Sequence, residues 1–150
     1  MYFVYPLIEE SETLDYKNLL ENLEHIMAFY EGLNVTMLHG RMKPAEKEAA
    51  MQYFASGKAQ IMVATTVIEV GVNVPNATVM IIESAERFGL SQLHQLRGRV
   101  GRGAEQSYCI LVTSDKLSSD SRTRMKTMVE TNDGFKISEV DMKLRGPGDI

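Results

Sequence analysis

What this chain of 150 residues lacks narrows its chemistry first. It has one cysteine, Cys109, which excludes an intrachain disulfide and a cysteine-built metal site. Cys109 lies in an apolar run and is expected to be a buried thiol in a reducing, cytoplasmic setting. No run of about 18 apolar residues is present, which excludes a membrane-spanning helix. The opening M-Y-F-V-Y-P-L-I has neither the charged start nor the small-residue cleavage site of a signal peptide. A phosphate-driven motor grips nucleotide and magnesium with a G-x-x-x-x-G-K-[ST] loop and an acid pair. Ser56-Gly57-Lys58-Ala59 is nearest to that loop, but lacks its leading glycine and the hydroxyl after lysine. No Asp-Glu pair follows a strand, and His25, His39 and His94 are scattered without evident partners. No metal ligand set is expected.

The length suits one domain with a real core. Net charge is −4, which disfavours broad, nonspecific binding of nucleic acid. The charge is uneven, however. Gln92 to Gly103 holds Arg97, Arg99 and Arg102 with no acid, leaving about −7 on the remainder. A local basic site on an acidic body points to a defined phosphate contact. The string itself reads Q-L-H-Q-L-R-G-R-V-G-R. If it is helical, Gln92, Gln95, Arg99 and Arg102 share one face, and Leu93, Leu96 and Val100 a neighbouring one. Arginine forks stay charged and donate in two directions, as a polyphosphate under attack requires. Gly98 and Gly101 allow close approach of a backbone or phosphate.

In chain order, Tyr2 to Ile8 reads as a buried strand. Asp15 to Tyr30 reads as a helix capped by Asp15, stopped by Gly32, with Tyr16, Leu19, Leu20, Leu23, Ile26, Met27 and Tyr30 as its core stripe. Val35 to Leu38 is a short strand. His39, Gly40 and Arg41 then lead to a helix started by Pro44, with Ala50 and Phe54, and Ala49 and Tyr53, as apolar pairs. Such a loop either holds a phosphate on free backbone N–H groups or is simply a tight turn. Gln60 to Thr65 is an apolar strand, and Thr65 and Thr66 at its end can donate to nucleic-acid phosphates. Thr78 to Ile82 and Ser107 to Thr113 are further strands, with Glu83 an ordinary strand end. This alternation gives an α/β domain with a mostly parallel sheet, whose ligands bind beyond the carboxyl ends of the strands. Ser118 to Met128 should be helical, with Met125, Met128 and Val129 inside and Arg122, Arg124 and Lys126 outward. After the turn Asn132-Asp133-Gly134, residues Ile137, Val140 and Leu144 fit a second helix, completing a hairpin. A bare methionine on a core strand and a closing L-R-G-P-G-D-I suggest a piece of a longer chain.

These residues resemble a known family. The arginine string is similar to motif VI of superfamily 2 helicases, Ala64 to Pro75 (A-T-T-V-I-E-V-G-V-N-V-P) to motif V, and M-L-H-G-R-M to the step after the second strand of the same motor domain. More narrowly, E-R-F-G-L-S-Q-L-H-Q-L-R-G-R-V-G-R-G resembles the branched-DNA helicase family RecG and the translocase family Mfd. The tail D-G-F-K-I-S-E-V-D-M-K-L-R-G-P-G-D resembles the start of the RecG translocation motif. The resemblance implies a RecA-like three-layer motor domain over 1–114 and a helical hairpin over 115–150. It implies Arg99 and Arg102 as arginine fingers, and Gln95, Gly71, Asn73 and Gly98 beside ATP. His39, Gly40, Arg41, Thr65 and Thr66 would track a DNA backbone, and Glu69, Gln92, Arg97 and Arg145 would couple the two activities. ATP would be shared with a first motor domain that also holds Mg²⁺. Branched DNA, that domain and a DNA-wedge domain would be partners of a monomer. Two departures stand out. Arginine falls at Arg97 where many members have it one place earlier, leaving Arg97 open between DNA, an acid and solvent. Asn73 stands where aspartate is common. The rivals are an Mfd-type translocase and a non-catalytic DNA-binding module.

Overall fold

A computed structural model describes residues 1–6, 12–65, 78–98 and 106–145, apart from the side chains of 12–16 and 145. The described elements are β1 (Tyr2–Tyr5), α1 (Glu12–Phe29), β2 (Val35–Leu38), α2 (Pro44–Ala55), β3 (Ile61–Thr65) and β4 (Val79–Ile82). They continue with a 3₁₀ turn (Ala85–Arg87), α3 (Leu90–Arg97), β5 (Tyr108–Leu111), α4 (Ser119–Glu130) and α5 (Gly134–Arg145). The five strands form one sheet in the order β2-β3-β1-β4-β5, and every described pairing is parallel.

The strand sequences explain the layers. Alternate residues of a strand point to opposite faces. Phe3, Ile61 and Val63 pack with Leu19 and Ile26 of α1 on one face. Tyr2, Val4, Met62, Ala64, Met80 and Ile82 face the other way, toward Phe54 of α2, Leu93 of α3 and the hairpin residues Met125, Met128 and Ile137. Both faces are apolar, as a parallel sheet covered by helices requires. The chain steps from β1 outward to β2, then back to β3. Reversing direction under one handedness of crossover puts α1 and α2 on opposite faces. The result is the expected three-layer α/β fold, with α4 and α5 packed behind α3.

Several local expectations are corrected. Helix α1 begins at Glu12, so Asp15 is inside it rather than its cap. Met27 is 53% exposed, because the fully buried stripe of α1, Leu19 and Ile26, is narrow. Of the two α2 pairs, Ala50 and Phe54 are buried, whereas Ala49 and Tyr53 face outward. Val129 is exposed, since Met125 and Met128 already fill the seam against the sheet side. Arg124 turns inward: its Nη2 donates to Ser121 Oγ at 2.8 Å and to the Glu86 carbonyl at 3.3 Å. Cys109 is half-buried. Burial raises its thiol pKa, against an opposite pull from Arg97. The expected strand ends Leu7 and Ile8 lie outside the described residues.

Candidate functional site

The carboxyl ends of the strands gather the first group of candidates. Tyr5 of β1 pairs in register with Thr65 of β3. The Thr65 hydroxyl is buried and has no hydrogen-bond partner among the described residues. It lines a cavity of about 220 Å³ with Tyr5, Asn18, Asn22, Ser84 and Arg87. Ser84 has φ 51°, the one non-glycine in the left-handed region among the described residues. Such a conformation costs about 1–3 kcal/mol and persists where its surroundings impose it. Here the next residue, Ala85, donates to the Val112 carbonyl at 2.9 Å, and Glu83 donates to Val4 at 2.8 Å. Burial, followed by the Glu83 charge, pushes the Tyr5 phenol up to about 12. Burial also raises the Glu83 carboxyl above its ordinary value.

The loop after β2 is a closed turn. His39 N–H donates to Met42 Sδ, Arg41 N–H to His39 Nδ1 at 3.2 Å, Met42 N–H to the His39 carbonyl, and Lys43 N–H to Glu46 Oε1 at 3.1 Å. The backbone donors of 39, 41, 42 and 43 are therefore engaged within the loop. Phosphate contact by His39 and Arg41 thus falls to their side chains, of which Arg41 is exposed and His39 buried, while Gly40 has only its backbone to offer. Burial and then the Arg41 charge lower the His39 pKa, with Glu46 opposing.

Helix α3 carries the start of the arginine string. Leu90, Leu93 and Leu96 are buried, which leaves Gln92 and Gln95 exposed on the outer face. Gln92 Oε1 accepts the Gly89 N–H at 3.2 Å and so closes the first turn. Gly98 ends the helix at φ −69°, where a Cβ would make only ordinary contacts. Among the described residues Arg97 meets no acid. Its Nη1 donates to the carbonyls of Met128 at 2.6 Å and Thr131 at 3.0 Å, the C-terminal end of α4. Cations are favoured at helix C-termini, where the last carbonyls lack helical partners. Arg97 thus ties α3 to the hairpin. Thr66, Glu69, Gly71, Asn73, Arg99 and Arg102, and the Arg145 side chain, lie outside the described residues. Sequence reasoning missed Asn18, Asn22, Ser84, Arg87 and the inward Arg124. No motif carries them, because fold contacts rather than spacing bring them together.

The described geometry is thus a parallel α/β sheet with a cavity at its strand ends and α3 tied to the hairpin on one flank. The chain belongs to the helicase conserved C-terminal domain family, whose pattern matches residues 8–104. Relatives named ATP-dependent DNA helicase RecG match essentially the whole chain. That of Synechocystis sp. is 57% identical over 100% of this chain and 18% of its own length. That of Bacillus subtilis is 54% identical over 99% of this chain and 22% of its own. A solved structure of RecG bound to a three-way DNA junction matches 99% of this chain and 19% of that chain, at TM-score 0.80 and 46% identity. The C-terminal domain of the DEAD-box protein Dbp5 shares the fold alone, at TM-score 0.61 and 16% identity over 95% of this chain and 81% of that one. The chain spans about a fifth of the length of the RecG relatives it matches.

Proposed function

We propose that this chain is the second motor domain of an ATP-dependent DNA helicase of the RecG type, acting on forks and junctions in repair and recombination. The observation that carries the reading is the match along the whole chain to RecG, in sequence and in a structure that holds a three-way junction. The motor occupies 1–114 and the hairpin 115–150. ATP is the substrate, shared with a first motor domain that also holds Mg²⁺. Exposed Gln95 fits a nucleotide-facing role, together with Gly71, Asn73 and Gly98. Arg99 and Arg102 reach the developing charge on the γ-phosphate as arginine fingers. Thr65, whose buried hydroxyl has no partner among the described residues, joins Thr66 and the His39 to Arg41 loop along a DNA backbone. Glu69, Gln92, Arg97 and Arg145 couple closure to movement, and the Arg97 bonds to α4 support that role for Arg97. The parent works as a cytoplasmic monomer with its wedge domain; among the described residues no helix is long and apolar enough to cross a membrane.

The test is ATP hydrolysis by this chain, with and without forked DNA, alone and mixed with a separately made first motor domain. No turnover alone and DNA-stimulated turnover on mixing is expected. Turnover by the chain alone would overturn the half-motor reading. In the full-length parent, Arg99→Ala should lower DNA-stimulated hydrolysis by about 10³-fold or more, the scale of an arginine finger. Unchanged hydrolysis would remove Arg99 from that role.

A further inference from the structure

One guanidinium makes all the contacts between α3 and the end of α4 just described, and a neighbour on its own helix shapes it. Arg97 Nη2 lies 3.2 Å from His94 Nδ1. Every nitrogen of a guanidinium is a donor and none accepts. This pairing therefore requires His94 Nδ1 to accept, the tautomer with its proton on Nε2. The two residues stand three apart on α3, a spacing that makes them surface neighbours. On the far side of the ring, Nε2 lies 3.4 Å from where a Cβ on Gly134 would stand. Gly134 is the first residue of α5. The imidazole thus sits between the fork of its own helix and the bare backbone at the hairpin turn.

The fork is planar, so fixing the direction of Nη2 also fixes where Nη1 points. A free arginine side chain would sample many rotamers, and ordering it costs about 2 kcal/mol. We propose that His94 is a positioning residue: its Nδ1 holds Arg97 so that Nη1 meets the Met128 and Thr131 carbonyls, and α3 and the hairpin move as one body. The geometry stands independently; the consequence for translocation rests on the second-motor-domain reading.

Two measurements test it. The first is nitrogen NMR of the His94 ring in this chain at neutral pH. Protonated Nε2 with a bare, hydrogen-bonded Nδ1 is expected, and the Nδ1–H tautomer or a charged ring overturns the proposal. The second compares His94→Leu and His94→Asn in the full-length parent. Leucine keeps the near shape of the ring and removes the acceptor, whereas asparagine puts Oδ1 where Nδ1 stood. The readouts are ATP hydrolysed and ATP consumed per fork unwound. His94→Leu should raise consumption per fork by about tenfold, the scale of one lost charge-assisted hydrogen bond, with hydrolysis itself little changed. His94→Asn should restore most of the coupling. Equal behaviour of the two variants, whether both normal or both impaired, overturns the acceptor role. A wild-type parent without fork-stimulated hydrolysis would sink the motor reading instead, and the ring tautomer would still decide the geometry.

Discussion

At the scale of single residues, the buried polar groups have consequences that can be measured apart from catalysis. His39 is buried, and both burial and Arg41 hold its pKa below the ordinary 6.5. As pH falls through 6.5, the unfolded chain takes up this proton before the folded one does. The stability present above pH 6.5 should therefore drain away as pH falls through the His39 pKa of the folded state. Denaturant titrations between neutral and mildly acidic pH should show this loss in the wild type and less of it in His39→Gln. An equal loss in both would place the effect elsewhere. Thr65 makes the opposite kind of prediction. Its hydroxyl is desolvated without a partner among the described residues, a condition that costs about 1–3 kcal/mol. Thr65→Val keeps the shape and should stabilise the isolated chain by about 1 kcal/mol. In the parent the same change should weaken fork binding. Stabilisation with unchanged binding would take Thr65 out of the DNA path.

At the scale of elements, the hairpin shows how much of the fold was legible in the residues. Ile137, Val140 and Leu144 mark the inner face of α5 by spacing alone, and Ile137 is 2% exposed against the core. Ile137→Ala should cost about 2–5 kcal/mol, the range for a large core side chain cut to alanine. Hydrogen exchange should report the loss first in α4 and α5, if the sheet keeps its own core. A uniform rise across β1 and β3 would mean that the hairpin is a structural part of the sheet domain. The spacing also located β2, α2 and β3 closely. It was silent on how wide each buried stripe is, hence Met27 and Val129. It was also silent on what a long basic side chain finds. Arg124 reads as outward, yet it donates to Ser121 and to a carbonyl 38 residues away. The residues leave Arg97 open between DNA, an acid and solvent, and it meets carbonyls of the hairpin, 31 and 34 residues away. Periodicity encodes faces, and only packing decides which distant backbone oxygen a fork reaches.

At the scale of the whole molecule, the charge pattern predicts weak and only mildly salt-sensitive DNA binding by this chain alone. With net charge −4 and a single basic segment, few phosphates can be neutralised. The slope of log affinity against log salt should be shallower than about −3 for forked duplex DNA. A steeper slope would revive the reading of a self-standing DNA-binding module. The fold class was readable from alternating strands and helices, whereas the strand order β2-β3-β1-β4-β5 needed the structure. Motifs marked Thr65, which lines the strand-end cavity, but nothing in the spacing announced Asn18, Asn22, Ser84 and Arg87 beside it.

The joint between α3 and α4 is made to peptide oxygens, and this shapes how the chain tolerates change. Any residue type at 128 or 131 offers the same carbonyl, so an alanine scan of the hairpin would pass over the joint. Substitutions there can drift with core volume while the acceptors persist. All of the chemical specificity rests on the α3 side, where one inherited codon for Arg97 serves two carbonyls at once.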